Sequence, residues 1–173
     1  YFDSLHIPSR LKRSLRQHRF HLKISERFED VIANCSRVPR KGQDGTWITA
    51  KIRRAYQDFH KAGYVHSFEA CNEKGELVGG MYGISLGRVF CGESMFHLET
   101  DASKFALLSA VATLRKCGVT MLDTQVLTPL LGRFGAVEVP RAEFLKQLDA
   151  NLGDPIPAEV LRANAVQAET LCE

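Results

Sequence analysis

The sequence predicts an α+β domain built on one mainly antiparallel sheet flanked by helices. Three observations predict it. Residues 64–71, 76–86 and 88–96 are apolar stretches joined by turns at Asn72-Glu-Lys-Gly75 and at Gly87, the pattern of an antiparallel meander. Helical spacing precedes that stretch, and a long apolar helix follows it. With 173 residues and 45% apolar content, the chain has the length of about one domain and enough apolar side chains for a core.

Each element follows from local pattern. Ser9 precedes residues 10–18, where Leu11 and Leu15 sit four apart among basic residues, and predicts a short amphipathic helix with a Ser cap. Phe20, Leu22 and Ile24 alternate, as in a strand. Ser25 then caps a second helix carrying Phe28, Val31, Ile32 and Cys35, and residues 36–45 lose periodicity and read as a loop ending near Trp47. Thr49 caps a third helix with Ile52, Ala55, Tyr56, Phe59 and His60 inward, and Gly63 ends it. After the meander, a helix from about Ser103 to Cys117 presents Phe105, Leu107, Leu108, Val111, Ala112 and Leu114. Residues 119–127 predict a strand with Asp123 and Gln125 on one face, 133–135 a turn, 136–139 a short strand, and Pro140 the start of a helix with Phe144, Leu145 and Leu148. Residues 1–150 are thus expected to form the domain, and 151–173 a weakly amphipathic, helical C-terminal tail.

Composition removes several function classes. No apolar run reaches the roughly 18 residues of a membrane span, and no charged-then-apolar leader opens the chain. The expectation is a cytoplasmic protein. The chain opens on Tyr1 rather than Met, so a domain or processed fragment is expected. Cys35, Cys71, Cys91, Cys117 and Cys172 are scattered, with no C-x-x-C pair, and the six histidines form no ligand constellation, so neither a metal nor another cofactor is expected. Residues 77–83 are glycine-rich but match neither phosphate-loop pattern; they read as a strand whose glycines admit a close neighbour. Charge is uneven: residues 1–65 hold 14 Lys or Arg against 6 Asp or Glu, and the rest 9 against 14. The basic side chains Arg10, Lys12, Arg13, Arg16, Arg19, Arg37, Arg40, Lys41, Lys51, Arg53 and Arg54 are either solvated helix faces or a phosphate-binding surface.

One strand raises a chemical question. Residues 88–96 carry Glu93 among apolar or small neighbours, and an ionised carboxylate buried without partners costs several kcal/mol. Strict alternation puts Phe90, Gly92, Ser94 and Phe96 on one face and Cys91, Glu93 and Met95 on the other. If the strand bearing Asp123 and Gln125 neighbours this one, two carboxylates and an amide converge, a set able to orient an amine and move its proton. Met81, Met95, Phe90, Leu107 and Leu114 read either as ordinary core or as the wall of an apolar pocket.

Six ordered motifs carry a family resemblance: Asp44-Gly-Thr-Trp-Ile-Thr49; Ala55-Tyr-Gln-Asp-Phe-His60 leading to Gly63 and His66-Ser67; Leu77-Val-Gly-Gly-Met-Tyr-Gly83; Phe90-Cys-Gly-Glu-Ser-Met-Phe96; Ala102-Ser-Lys104; and Leu122-Asp-Thr-Gln125. From about His6 to Leu148 the chain resembles bacterial leucyl/phenylalanyl-tRNA–protein transferase. The resemblance implies a domain with the fold of the GCN5-related acetyltransferases. It implies transfer of Leu or Phe, with Met a further donor, from aminoacyl-tRNA to the α-amine of a protein beginning with Arg or Lys, marking it for degradation by the N-end rule. The implied partners are Leu-tRNA, Phe-tRNA and that protein acceptor, with no membrane and a monomeric enzyme. Asp123 and Gln125 would relay the proton, Glu93 would orient the site, and Trp47 would lie near the 3′-terminal adenosine. Met81, Phe90, Gly92, Ser94, Met95, Leu107 and Leu114 would hold the amino acid, and Arg13, Arg16, Arg53 and Arg54 tRNA phosphates.

Departures from the family pattern are definite. Its N-terminal domain, with Gly-Gly-Asp-Leu and the Trp-Trp/Tyr-Ser-Pro-x-Pro-Arg stretch, is absent from this chain. Thr128-Pro129-Leu130 stands where an Asn and a His are usual, and Cys71 where Trp is common. Two other readings remain: an acyl-CoA-dependent N-acyltransferase of the same fold, and a non-catalytic tRNA-binding module. Against the first, Thr100-Asp-Ala-Ser103 replaces the pyrophosphate loop that an acyl-CoA enzyme carries before the corresponding helix.

Overall fold

In the computed structural model, residues 1–38 and 45–172 are described; Arg40, Lys41 and Asp44 lie outside them. Five strands form one mixed sheet in the order β1 (Phe20–Ile24), β2 (Val65–Asn72), β3 (Leu77–Leu86), β4 (Val89–His97) and β5 (Met121–Asp123). β1 to β4 run antiparallel, the short turns requiring it from β2 to β4, and β5 pairs parallel to β4 after the crossover helix α4 (Ala102–Lys116). The α+β architecture with a mainly antiparallel sheet is therefore as read from the sequence.

Helices cover both faces of the sheet. On one side α4 packs with α1 (Ser9–Leu15), and Leu11, Leu15, Phe20, Phe68, Phe90, Phe105 and Leu114 share one apolar cluster. On the other, α2 (Phe28–Arg37) and α3 (Ala50–Lys61) enclose a second cluster around Val31, Ile32, Tyr82 and Phe96. α4 is buried from Phe105 to Leu114 because the sheet lies under it and the C-terminal segment over it. Gly79 permits this seating: a Cβ there would lie 2.5 Å from the Cβ of Ala102. Gly79 of β3 thus admits a close helix, and the sequence anticipated a close neighbour for these glycines.

Several boundaries differ from expectation. The first helix ends at Leu15, and Pro8, not Ser9, stands at its N-cap. Ser25 does not cap α2; its φ is +54° and its hydroxyl faces Nδ1 of His66 at 3.2 Å. Instead the buried Glu69 carboxylate, reaching across from β2, accepts from the backbone N–H of Glu26 and Arg27 and from the Ser67 hydroxyl. Burial pushes the Glu69 carboxyl upward, and those three donors oppose the shift. Residues 136–139 form no strand, and β5 stops at Asp123.

A helix not expected from the sequence, α5 (Pro129–Arg133), starts at Pro129, with the Thr128 hydroxyl accepting from Leu131 N–H. α6 (Arg141–Asn151) and α7 (Ala158–Ala163) follow. Leu161 of α7 is buried, as are Ala168 and Cys172 beyond it, and Ser109 and Thr113 of α4 accept the backbone N–H groups of Ala168 and Val166 respectively. These bonds satisfy two hydroxyls that would otherwise interrupt an apolar helix. Among the described residues, no helix is long and apolar enough to cross a membrane.

Candidate active site

The site begins with an irregularity in β4. Tyr82 pairs with Ser94 but Gly83 pairs with Gly92, so Glu93 is an extra residue opposite no partner, a β-bulge. The bulge corrects the strict alternation expected from the sequence. Phe90 and Met95, five apart, both meet the cluster under α4, whereas Phe96 joins the cluster under α2. An inserted residue shifts the pleat by one, so residues on either side of it exchange faces.

β5 pairs with β4 only from Val89 to Cys91, short of the bulge. Beyond the last pair a cleft of about 760 Å³ lies between the second half of β4, the start of α4 and residues 122–131. Met81, Met95, Leu107, Leu122, Leu130 and Leu131 supply its apolar wall; Gly92, Glu93, Ser94, Thr124 and Gln125 supply polar groups. Such a cavity suits an apolar side chain attached to a polar reacting group.

Gln125 is the best-defined polar element of the cleft. Its Nε2 donates to Glu93 Oε1 at 3.2 Å and to the Gly92 carbonyl at 3.3 Å. Its backbone N–H donates to Asp123 Oδ1 at 2.8 Å, and φ at Gln125 is +62°. A left-handed conformation costs a non-glycine residue about 1–2 kcal/mol, and the Asp123 carboxylate is what holds it here. With both amide protons engaged, the side-chain carbonyl of Gln125 remains available to accept.

Glu93 is bounded on its other side by α3. Burial raises the Tyr56 phenol well above its usual range, and the hydrogen bond to Glu93 and its negative charge push it further. Tyr56 in turn packs edge-on to Tyr82 at 5.3 Å and to Trp47 at 6.2 Å, so the carboxylate rests against an aromatic group. Cys91 is pushed up to about 11 by burial, then by the charges of Asp123 and Glu93, and stays a thiol at neutral pH. At the opposite end Asp101 joins Lys104 of α4 to Ser14 of α1. Burial alone would raise the Asp101 carboxyl, but the hydrogen bonds from Lys104 and Ser14, with the charges of Lys104 and Arg19, bring it below its ordinary value.

The structure brings Trp47, Met81, Gly92, Glu93, Ser94, Met95, Leu107 and Gln125 to one cleft. Phe90 and Leu114 are fully buried in the core behind it and do not line it. Asp123 borders a second cavity on the far side of the same segment, and touches the first through Gln125. Arg13 lies exposed on α1 and Arg16 just past its end, and Arg53 and Arg54 lie exposed on α3; the two helices pack against opposite faces of the sheet. Sequence reasoning missed Leu130 and Leu131 as wall residues because it missed α5. Thr128 before Pro129, a capping residue before a proline at the first helical position, was the signal. Tyr56 was legible as inward, but its contact with Glu93 was not.

Comparison with known proteins shows the family. Residues 1–149 match the family described as leucyl/phenylalanyl-tRNA protein transferase. A protein of that name from Anaeromyxobacter dehalogenans is 49% identical over 152 residues, 88% of this chain and 65% of its own length. Those of Maridesulfovibrio salexigens and Myxococcus xanthus are 47% and 44% identical over 154 and 153 residues, covering 64% and 65% of their lengths. The chain thus spans somewhat less than two thirds of these relatives. Since the family match runs over residues 1–149, which hold the bulged strand and the Asp123–Gln125 turn, the chain belongs to the leucyl/phenylalanyl-tRNA protein transferase family.

Proposed function

We propose that this chain carries the site at which Leu or Phe, with Met a further donor, is moved from its tRNA to the α-amine of a protein beginning with Arg or Lys. The observation that carries the reading is the Gln125 amide, pinned by Glu93 and Gly92 at the wall of an apolar cleft. Met81, Met95 and Leu107 receive the aminoacyl side chain, backed by Phe90 and Leu114 from the core. Gly92 and Ser94 border the aminoacyl group, and Trp47, 40% exposed, stacks on the terminal adenosine.

The chemistry asks little of the protein. The ester is already activated, so the amine needs only to be held uncharged against its carbonyl carbon. Gln125 accepts a hydrogen bond from the amine, and Asp123 and Glu93 keep that acceptor in place. As the C–N bond forms, the ester C–O bond breaks, and the proton shed by nitrogen ends on the departing ribose oxygen. An amide is too weak a base to keep the proton, so Gln125 orients and relays rather than stores it.

Four antiparallel strands followed by a crossover helix and a parallel strand support the fold of the GCN5-related acetyltransferases for residues 1–150. The exposed Arg13, Arg16, Arg53 and Arg54 would contact tRNA phosphates from two sides, an attraction that does not depend on sequence. Partners of this kind fit a cytoplasmic protein, and the proposed enzyme acts as a monomer. The test is transfer of labelled leucine from charged tRNA by the full-length protein. A peptide beginning with Arg is expected to gain one leucine at its α-amine; the absence of that product would overturn the reading.

A further inference from the structure

We propose that the start of α4 is a phosphate site within the cleft, where Lys104 and Ser103 hold the phosphate on the 5′ side of the donor's terminal adenosine. The proposal rests on the transferase reading above. Lys104 is the one Lys or Arg among the described residues that line the cleft, and Thr100, Asp101 and Ser103 line it beside Lys104.

Unfilled hydrogen-bonding capacity is the first argument. Ser103 is only 6% exposed and lines the cleft, yet its hydroxyl has no partner among the described residues. A buried hydroxyl left unpaired is costly, so one that borders a cleft marks a place for a ligand atom. The helix start is open as well. Asp101 stands at the N-cap of this 15-residue helix with φ +70°, but its carboxylate makes no cap hydrogen bond. It turns instead to Lys104 and to Ser14 of α1. The N–H groups of Ala102 and Phe105 donate to the Glu99 and Asp101 carbonyls, while those of Ser103 and Lys104 have no acceptor among the described residues. Free N–H groups at a helix N-terminus, reinforced by the helix dipole, suit an anion.

Charge is the second argument. Lys104 gives one hydrogen bond to Asp101, and an ammonium carries further donors for a phosphate oxygen. Glu99, the other carboxylate at this end of the helix, accepts from Asn72 Nδ2 at 3.1 Å. Arg19, whose Nη2 donates to Ser14 Oγ at 3.0 Å, stands behind Asp101, so Lys104, Arg19 and Asp101 together are net positive. Ser14 also ties this end of α4 to α1, the helix that bears the exposed Arg13, with Arg16 just past its end. A donor strand leaving the cleft past Lys104 therefore meets further cations, and its phosphates follow one basic path.

The test uses the full-length protein and two non-hydrolysable donors, 3′-leucylamido-adenosine with and without a 5′-phosphate, with binding followed by calorimetry and transfer by kinetics. In wild type the phosphate is expected to tighten binding roughly fivefold or more, an advantage that shrinks as salt rises. In Lys104→Met the two analogues should bind alike. Ser103→Ala should reduce the advantage, and Lys104→Arg should keep most of it. Binding of the unphosphorylated analogue reports that each variant is folded. Equal binding of the two analogues by wild type, or an advantage that survives Lys104→Met, would overturn the inference. So would inorganic phosphate abolishing the advantage at equal concentration, the mark of a site that takes free anions. In each of these cases observed transfer leaves the transferase reading standing. A Lys104-dependent advantage without any transfer would support the phosphate site and overturn the reaction.

Discussion

Gln125→Ala is expected to lower kcat/KM for aminoacyl transfer about a hundredfold or more while leaving the fold intact, the size of effect usual for a lost proton-handling group. Gln125 is exposed, so truncation opens no core cavity, and its backbone bond to Asp123 survives the change. What disappears is the acceptor oriented by Glu93 and Gly92. Gln125→Gly separates side chain from backbone: glycine adopts the left-handed turn without strain, yet should be as inactive as alanine. Single-turnover transfer with charged tRNA and an Arg-starting peptide measures the chemical step directly. Either variant retaining a rate within about threefold of wild type would remove Gln125 from the mechanism.

The stability of the fold is expected to fall as pH drops from about 6.5 to about 4, through His66. The side chain is 1% exposed, and its pKa is lowered to about 4, chiefly by burial and then by the nearby charge of His60. Arg162 pushes in the same direction. Because the folded pKa lies below the unfolded one, the unfolded chain binds the proton more readily. The contribution is therefore complete above about pH 6.5 and is lost as pH falls through about 4; a gap of this size is worth about 3 kcal/mol. Urea midpoints at several pH values for wild type and His66→Gln give the difference curve. That subtraction removes carboxylates such as Glu69, whose upward shift is common to both proteins. A difference that stays flat between pH 7 and 4 would contradict the assignment.

Most of the scaffold was legible because it rests on local pattern. The meander β2 to β4 followed from apolar runs punctuated by turns, and α4 from an apolar stretch with Gly118 after it. What escaped depends on contacts distant in sequence. The bulge at Glu93 exists only as a register against Gly83, where a Cβ would lie 2.4 Å from the Phe90 ring, and no pattern within β4 announces it. The turn into α2 is held by Glu69, 42 and 43 residues from the Arg27 and Glu26 N–H groups it accepts, so the nearby Ser25 was an attractive but mistaken choice. The C-terminal segment buries Leu161, Ala168 and Cys172 through one short helix and a 3-10 turn, which do not share a single 3.6-residue period.

Legibility of the site divides along the same line. The motifs singled out Glu93, Asp123 and Gln125 as candidates, and the structure joins them through Gln125 by hydrogen bonds from its side chain and backbone. Among the apolar candidates, Met81, Met95 and Leu107 reach the cleft, whereas Phe90 and Leu114 stay behind it. Apolar character alone does not separate a pocket wall from the core that supports it. That distinction is set by where β5 stops pairing with β4.

The most direct measurement is a crystal structure of the full-length protein with a non-hydrolysable leucyl- or phenylalanyl-adenosine. The predicted result places the amino-acid side chain among Met81, Met95 and Leu107, with its carbonyl beside the Gln125 amide and the adenine against Trp47. A ligand whose amino-acid side chain lies outside that cleft, away from Gln125, would contradict it.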